Sequence, residues 1–347
     1  MIEDSIFIPI AACEERFIEQ TVRSALENAE NPDNIYFGIF NNILNKEHSL
    51  LDNDFLTNHK QIFYVEVITP APMGTGFARM NASLLQFKNF DYMFQIDAHT
   101  FFSKKWDTQL INIFKRIKYQ ENIDENKLVL SASSGFMWSY YDENPEKVYA
   151  IVEHRKKIFE IDPLNLEKNA QDFVDRGMTN VKFVYDGKQS VIFTEADVGF
   201  PIVYGDEYLK EEYKESGCVH ATFMFSKAKL TRDVMHDPED LFHGDQTNYS
   251  IRLLSRGYRI FSPKYPTLAL LNKGFVNEDK DHNWRTYESK NTGSEYLDTK
   301  IMNSRINFNQ IISGKYFGYW GTTDNDSLNK VKEQINYPLD DSFGIPE

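Results

Sequence analysis

The sequence has few of the residues that dominate disulfide-bonded scaffolds and flexible linkers. Its 347 residues include only 2 cysteines, 12 prolines and 17 glycines. Cys13 and Cys218 are too few for a disulfide framework, so reduced thiols in an intracellular protein are the simpler expectation. The low proline and glycine content, with 41% hydrophobic and 14% aromatic residues, predicts a compact chain whose core is rich in Phe and Tyr.

Long apolar runs are also missing. No stretch approaches the ~18 consecutive apolar residues that a transmembrane helix needs. A secretory signal carries a basic segment ahead of its apolar run. The N-terminus of this chain has no such segment ahead of its first apolar run at residues 6–10. We therefore expect a soluble, unexported protein with a cytoplasmic location and no membrane partner.

Positive charge is the third deficit. Lys and Arg total 38 against 52 Asp and Glu, which gives a formal net charge of −14. A surface of this average sign repels nucleic-acid phosphates and anionic lipid headgroups. Nucleic acid is therefore disfavoured as a partner, and an activity on a polypeptide or glycan is favoured over DNA modification. A local anion site can still be built from a bound cation or a few basic side chains. Composition makes no prediction about the oligomeric state.

Segments with strand and helix patterns alternate through the first part of the chain. Apolar runs at residues 6–10, 35–40, 62–68, 92–96 and 128–131 predict strands, and amphipathic stretches at 17–29, 77–87 and 106–117 predict helices. Such alternation predicts an α/β fold with a mostly parallel, doubly wound sheet.

The second part of the chain is less regular. A hairpin-containing insertion is expected at about 142–215, followed by a helix at 246–255 that Gly257 ends and a strand at 258–261. We expect one catalytic domain over residues 1–270 and a C-terminal extension over 271–347 that packs on it. The apolar residues expected to face the domain are Ile301, Ile306, Phe308, Ile311 and Ile312.

Asp97 and His99 follow the strand at 92–96 directly. In open α/β sheets, ligands bind beyond the carboxyl ends of the strands. Alternation along an extended chain would place both side chains on one side, with Ala98 between them. A carboxylate and an imidazole suit Mn²⁺, and Mg²⁺ is a second candidate. An Asp-x-His triplet is common by itself. The alternative to a metal site is an Asp that caps a turn beside a structural His. The position of this triplet at the end of a strand favours the metal site.

Several short blocks, spread over nearly the whole chain, resemble the GT-A fold glycosyltransferases. The nearest resemblance is to the cytoplasmic UDP-GlcNAc:hydroxyproline polypeptide N-acetylglucosaminyltransferases. The strongest block is residues 95–107, in which a Gln precedes the triplet and an aromatic residue and a Trp-Asp pair follow it. The other blocks are residues 74–79, 223–226, 236–238, 241–246 and 317–323. The resemblance implies a GT-A sheet with a mixed acceptor-side region, a UDP-sugar donor, Mn²⁺ at Asp97 and His99, and transfer with retention.

The resemblance also implies roles for residues outside the triplet. The uridine pocket and donor site would be formed by Pro9, Ala11, Ala12 and Glu14 after the first strand, by Asn41 at the end of the second strand, and by Asp97. Arg79 would face the donor phosphates and sugar and take part in catalysis. A strand-to-helix turn is the equally favoured alternative for the first group, with Glu14 favouring the start of the helix.

The sequence departs from the family pattern at two places. Asp245 and Gln246 replace two glutamates, and a carboxylate there would bind sugar hydroxyls, orient the acceptor hydroxyl or act as the base of an inverting enzyme. Asn272 stands where a His would be a third metal ligand. That ligand is therefore Asn272, His282 or none.

These features predict a metal-dependent enzyme that moves GlcNAc or a related hexose from a UDP-sugar to an acceptor hydroxyl. Two alternatives stay open. One is a nucleotide-sugar or glycan-binding protein with weakened catalysis, suggested by the residues at 245, 246 and 272. The other is a sugar nucleotidyltransferase. Proteins of that kind have a Gly-rich loop with basic residues after the first strand. This chain has residues 11–14 there instead, which argues against this alternative.

Overall fold

The fold is that of a computed structural model, which describes residues 4–131, 137–138, 179–185, 190–195, 212–241, 244–263, 268–271 and 295–334. The strands are β1 (Ile6–Cys13), β2 (Ile35–Ile43), β3 (Ile62–Ile68), β4 (Tyr92–Asp97), β5 (Thr100–Phe102), β6 (Leu128–Ser131), β7 (Met137–Trp138), β8 (Thr179–Tyr185), β9 (Ser190–Glu195), β10 (Tyr213–Ser216), β11 (Phe223–Lys227), β12 (Arg259–Pro263) and β13 (Leu268–Leu271). The α-helices are α1 (Ile18–Asn28), α2 (Asp54–Asn58), α3 (Thr75–Leu84), α4 (Trp106–Gln120), α5 (Leu230–Asp233), α6 (Gly244–Ser255), α7 (Glu295–Ile312) and α8 (Asn325–Gln334).

An eight-stranded sheet with the order β10-β12-β6-β11-β4-β1-β2-β3 forms the centre of the molecule. β1 runs parallel to β2 and β4, β2 runs parallel to β3, and β12 runs parallel to β6. β11 is antiparallel to both of its neighbours, β4 and β6, and β10 is antiparallel to β12. The predicted α/β fold with a mostly parallel sheet is therefore confirmed.

β1 is longer than the apolar run predicted. Ala11 and Ala12 lie inside the strand, rather than after it, because the backbone there is paired on both sides. Ala11 lies opposite Phe40 in β2 and opposite Asp97 in β4. Two ladders of backbone hydrogen bonds outweigh the weak strand preference of alanine. The consequence for the site is that the end of β1 lies beside the end of β4.

Aromatic side chains fill the core beneath β4, as the composition predicted. The ring of Phe94 lies 5.0 Å from that of Phe223 and 5.6 Å from that of Trp106, and all three residues are buried. Edge-to-face and tilted contacts of this kind add to the free energy gained from burial alone. The strand that ends at Asp97 is thus anchored on its far side by large rings.

Two smaller sheets accompany the central one. β5 pairs with β13, which pairs with β7, and β8 pairs antiparallel with β9. The β8–β9 pair matches the hairpin expected in the insertion, and the remainder of 142–211 lies outside the described residues. Gly257 has a φ of +76° after α6, so its predicted role at the helix end is confirmed.

The C-terminal helices α7 and α8 both pack against α6. Phe308, Ile311 and Ile312 are buried as expected, but Ile306 is 37% exposed. Helical periodicity explains the difference, because residue 306 lies on the opposite face from 308 and 312. The side chain of Ile301 and the division at residue 270 are not tested and stay predictions. Of the helices described, none has the length and apolarity to cross a bilayer.

Candidate active site

The candidate site lies at the carboxyl end of β4, where Asp97 and His99 come together. β4 ends at Asp97, Ala98 and His99 form a turn, and β5 begins at Thr100. The expected extended alternation is therefore wrong, but the expected proximity holds, since His99 Nε2 lies 4.0 Å from Asp97 Oδ2. The turn, rather than the strand, brings the two side chains to one place.

Helix α1 fixes this turn through side-chain hydroxyls. The Thr21 hydroxyl donates to Ala98 O at 2.9 Å and accepts from Thr100 N at 3.0 Å. The Ser24 hydroxyl accepts from Phe102 N at 3.0 Å. All of these groups are buried, where each unmade hydrogen bond would cost about 1–3 kcal/mol. The backbone on both sides of His99 is consequently held in one conformation.

The ring of His99 is held by Glu15, a residue that the sequence interpretation missed. His99 Nδ1 lies 3.1 Å from Glu15 Oε2, and the other carboxylate oxygen accepts from Phe17 N at 3.0 Å. Glu15 is 4% exposed. The available signal was a second glutamate beside Glu14 just ahead of a helix, but nothing in the sequence pairs it with a histidine 84 positions away.

Arg79 connects Asp97 to Asp245. Its Nη2 lies 3.4 Å from Asp97 Oδ1, and its Nη1 forms an ion pair with Asp245 Oδ2. Burial lowers the pKa of the Arg79 guanidinium, and Asp97 opposes that effect. Asp245 is 2% exposed, and within the described part of the chain its Oδ1 has no hydrogen-bond partner. The two predicted catalytic residues therefore contact each other and lie next to the predicted metal ligand.

Two glycines at the start of α3 allow Arg79 to reach this position. Gly76 N donates to Asp240 O at 3.0 Å, and a Cβ on Gly76 would lie 2.1 Å from Asp237 O. Gly74 has a φ of +95°, which favours glycine. The start of α3 therefore lies in close backbone contact with the segment 236–241.

Gln95 and His236 form a buried polar pair on the same face of β4 as Asp97. Gln95 Nε2 donates to Ala221 O at 2.9 Å, so its Oε1, 2.7 Å from His236 Nε2, must accept from that ring. His236 stacks on Tyr249, with ring centroids 4.2 Å apart. Burial, assisted by Arg79 and Arg252, lowers the pKa of His236 well below its usual value. His236 is therefore neutral and protonated on Nε2.

Asp240 joins three elements behind the site. Its Oδ1 accepts from Asn248 Nδ2 of α6 at 2.7 Å and from Ser304 Oγ of α7 at 3.4 Å. Burial and the nearby Asp237 raise the pKa of Asp240 to about 8, and burial also raises the pKa of Asp237. We therefore expect the stability of the segment 236–241, which contacts Gly76, to depend on pH.

Ala11, Ala12 and Asn41 of the predicted donor pocket lie near the ends of β1 and β2, whereas Pro9 lies in the middle of β1 and not after it. Pro9 is buried within β1, and Ala12 lies opposite Asn41 of β2. Asn41 is fully buried, its Nδ2 donates to Tyr64 OH at 2.9 Å, and its Oδ1 has no partner among the described residues. The structure brings Ala11, Ala12 and Asn41 to the same edge of the sheet as Asp97.

Glu14 holds the loop after β2. Its Oε1 accepts from Leu44 N and Asn45 N, both at 2.8 Å, and lies 3.1 Å from His48 Nδ1. Glu14 has a φ of +49°, the left-handed conformation. Its carboxylate is therefore engaged with backbone N–H groups of the chain itself, and its expected place in the donor pocket is not tested.

Trp106 and Asp107, the pair that follows the triplet, connect helices α4 and α1. Trp106 Nε1 donates to Ala25 O at 2.8 Å, and the Asp107 carboxylate accepts from Glu30 N at 2.8 Å and Asn31 N at 2.9 Å. Both side chains are buried. They attach α4 to the end of α1, the helix that fixes the turn at His99.

The two candidates for a third metal ligand, Asn272 and His282, lie outside the described residues. In the regions that are described, no group of three His, Cys, Asp or Glu side chains is arranged to hold a metal ion. Of the predicted metal ligands, Asp97 and His99 lie within the described residues.

The comparison with known families defines the class of protein. The fold to be compared is a large, mostly parallel sheet with a carboxylate and an imidazole beyond the end of a central strand. The model of the family described as "Glycosyltransferase (GlcNAc)" matches residues 50–308. The chain belongs to this family. Arg79, Asp97, His99 and Asp245 lie within the matched range, and the residues at the ends of β1 and β2 precede it.

A solved structure with a similar fold is that of GalNAc-T7 with UDP, GalNAc and Mn²⁺. The identity is 12% and the TM-score is 0.46, over 95% of this chain and 54% of that chain. This chain thus spans about half the length of the GalNAc-T7 chain. No curated protein matches it in sequence.

Proposed function

We propose that the protein transfers GlcNAc, or a related hexose, from a UDP-sugar to an acceptor hydroxyl, with Mn²⁺ or Mg²⁺ bound at Asp97 and His99. The observation that carries the proposal is the convergence of His99 Nε2 on Asp97 Oδ2 beside the buried pair of Arg79 and Asp245. Family membership supports the sugar.

The donor set suits a divalent cation. The two atoms lie 4.0 Å apart, less than the sum of two metal–ligand bonds of about 2.1 Å each. Glu15 occupies Nδ1 of His99 and leaves Nε2 for a ligand bond. When bound, the cation would neutralise the charge that develops on the departing diphosphate. His282 is the proposed third ligand, with Asn272 or no protein ligand as the alternatives.

Arg79 and Asp245 would bind the donor through their own side chains. A buried guanidinium fixed between two carboxylates is a rigid positive group for the phosphates and the sugar. Asp245 Oδ1, which lacks a partner in the described structure, can accept from a sugar hydroxyl. A carboxylate paired with Arg is a weaker base because the positive charge stabilises the anion, and this supports retention over inversion. Pro9, Ala11, Ala12, Glu14 and Asn41 complete the proposed donor pocket.

Donor hydrolysis tests the activity without knowledge of the acceptor. UDP-sugars are screened by thermal shift with Mn²⁺, and UDP release is then measured for the donor that stabilises the protein. We expect release by the wild type, a loss of at least about 100-fold in Asp97→Ala, and unchanged release in the exposed control Asp326→Ala. The anomeric configuration of the first sugar product, read by NMR, tests retention.

Two outcomes oppose the proposal. If no UDP-sugar stabilises the protein, the donor assignment is wrong. Tight UDP binding without release would instead support the nucleotide-sugar-binding alternative.

The acceptor we propose is a polypeptide or a glycan, in the cytoplasm. The net charge of −14 argues against nucleic acid, and the content of only 2 cysteines suits a reducing compartment. Incubation with hydroxyproline-containing peptides and with a glycan array, followed by mass spectrometry, distinguishes the two acceptors. Fluorescence of a tagged full chain in its cell reports the compartment.

A further inference from the structure

Glu15 is neither a metal ligand nor part of the donor pocket in the proposed function, yet it holds the ring of His99, one of the proposed metal ligands. The Glu15 carboxylate is 4% exposed and is fixed at both oxygens, one by Phe17 N at 3.0 Å and the other by His99 Nδ1 at 3.1 Å. A group held in this way cannot easily turn from the histidine. The contact is therefore a defined part of the fold.

The chemistry of the contact determines the tautomer of His99. A carboxylate only accepts hydrogen bonds, so the nitrogen that faces it must carry a proton. In a neutral imidazole the proton on Nδ1 leaves the lone pair on Nε2, the atom that faces Asp97 Oδ2 at 4.0 Å. Glu15 thereby presents the ligand nitrogen of His99 to the place where Asp97 presents its oxygen.

The contact of Glu15 with the His99 ring is separate from the contacts that hold the backbone of the turn. Thr21 already fixes the backbone on both sides of His99 through Ala98 O and Thr100 N, so Glu15 is not needed to form the turn. Its contact acts on the ring alone. The family match begins at residue 50, and Glu15 precedes it.

We propose that Glu15 is a positioning residue of the metal site, which fixes the ring orientation and the Nδ1–H tautomer of His99 and so raises the affinity for Mn²⁺. The inference rests on the proposed function only in taking Asp97 and His99 as the metal ligands. Partners of this kind typically contribute about 10–100-fold to metal affinity.

The variant Glu15→Gln tests the role with almost no change of shape. The amide offers one acceptor oxygen, whereas Phe17 N and His99 Nδ1 each need one. The NH₂ group of the amide must therefore face one of these two donors, or the proton of His99 must move to Nε2. We expect Mn²⁺ affinity, measured by EPR of the free ion with Mn²⁺ alone and again with UDP, to fall by about 10–100-fold. Glu19→Gln, on α1 and away from His99, is the matched control and should leave the affinity unchanged.

Two further measurements separate a positioning role from a structural one. In a His99→Ala background, Glu15→Gln should cause no additional loss of affinity, because no ring remains to be positioned. Long-range ¹H–¹⁵N spectra of the metal-free protein should show the His99 proton on Nδ1 in the wild type and a change of tautomer in Glu15→Gln.

Different results overturn the inference and the proposed function. A wild-type His99 protonated on Nε2, or equal Mn²⁺ affinities for wild type and Glu15→Gln, overturns the role of Glu15 and leaves the transferase proposal standing. Mn²⁺ binding that survives Asp97→Ala overturns the metal site itself, whatever the tautomer of His99.

Discussion

Arg79 balances the charge of the site at the scale of single residues. It is buried between Asp97 and Asp245, and among the described ion pairs it is the only arginine or lysine that pairs with either carboxylate. A buried ion pair adds little net stability, but removal of one partner leaves an uncompensated charge. The role of Arg79 in the fold and its proposed role in the donor site therefore coincide.

Replacement of Arg79 by Met should destabilise the protein strongly. We expect the free energy of unfolding, measured by urea denaturation, to fall by about 3–5 kcal/mol, because the buried carboxylate of Asp245 and the partly exposed carboxylate of Asp97 lose their cation. Arg232→Met, at an exposed position, should change it by less than about 0.5 kcal/mol. The double variant Arg79→Met/Asp245→Asn should recover part of the loss. A double variant no more stable than Arg79→Met would show that the pair is not coupled.

Asp240 should make the stability of the protein depend on pH. Its folded pKa of about 8 lies above its ordinary value of 3.8, so between these values the folded state binds more protons than the unfolded state. The free energy of unfolding must then fall as pH rises, by at most about 1.4 kcal/mol per pH unit for this group. The loss is complete above the folded pKa.

The variant Asp240→Asn isolates this effect in the window from about pH 6.5 to 8. His220 and His236, whose folded pKa values are lowered, still bind protons in the unfolded state below about pH 7.5, but this contribution is the same in the wild type and in Asp240→Asn. Urea denaturation at several pH values should give a shallower slope for Asp240→Asn than for the wild type. The raised pKa of Asp237 should leave a remainder. Asp326→Asn, at an exposed position, should keep the wild-type slope; identical slopes for all three proteins would contradict the prediction.

At the scale of elements, the start of α3 depends on contact between two backbones. Gly76 lies against the carbonyl groups of Asp237 and Asp240, and α3 carries Arg79 one turn further on. No side-chain rearrangement can make room there, because the atoms in the way belong to the main chain. The position of α3 therefore sets the position of the guanidinium.

The substitution Gly76→Ala should move α3 and lower turnover. Its Cβ would lie 2.1 Å from Asp237 O and 2.5 Å from Asp240 O, so we expect a loss of about 1–3 kcal/mol in stability and reduced UDP release per folded molecule. Gly257→Ala is a useful comparison, since it meets nothing within 4 Å but has a φ of +76°. It should lose about 1–2 kcal/mol while UDP release is retained. Equal UDP release by the two variants would argue against a role of this contact in placing Arg79.

At the scale of the whole molecule, the C-terminal segment is attached to α6 by arginine. Arg256 Nη1 donates to Gly321 O at 2.8 Å, and Nη2 donates to Gly318 O at 2.7 Å and Tyr319 O at 3.0 Å. Arg252, one turn earlier, donates to Tyr319 O at 3.2 Å and to Met235 O at 2.7 Å. One helix thus joins the turn at 316–322 to the segment behind the site.

Loss of Arg256 should loosen this turn without unfolding the sheet. Hydrogen bonds from a charged donor contribute about 1.5–3 kcal/mol each, so Arg256→Ala should raise amide hydrogen exchange across residues 316–322. Exchange in β1 and β4 should not change. Arg259→Ala, which removes a surface pair with Glu215, is the control and should leave the turn protected. Unchanged exchange at 316–322 in Arg256→Ala would show that other contacts hold the segment.

The sequence by itself determined the elements that periodicity encodes. β3 and β6 have the predicted bounds, and α4 begins at Trp106, because apolar runs and helical periodicity are local properties of the chain. It also located Asp97 and His99, since a strand that ends in polar residues is visible in the chain. The glycosyltransferase class followed from short blocks around that point and is confirmed by the family match.

Only the tertiary structure decided what these residues contact. The insertion of β11 between β4 and β6 joins strands distant in sequence, and no local pattern encodes which strands become neighbours. The partners of His99 and Arg79 are likewise remote, Glu15 lying before the first helix and Asp245 at the start of α6. Side-chain type predicts what a residue can do, whereas burial and pairing across long separations determine which partner it meets. The position of the triplet at 97–99 at the end of a strand was thus predictable, and its contact with Glu15 was not.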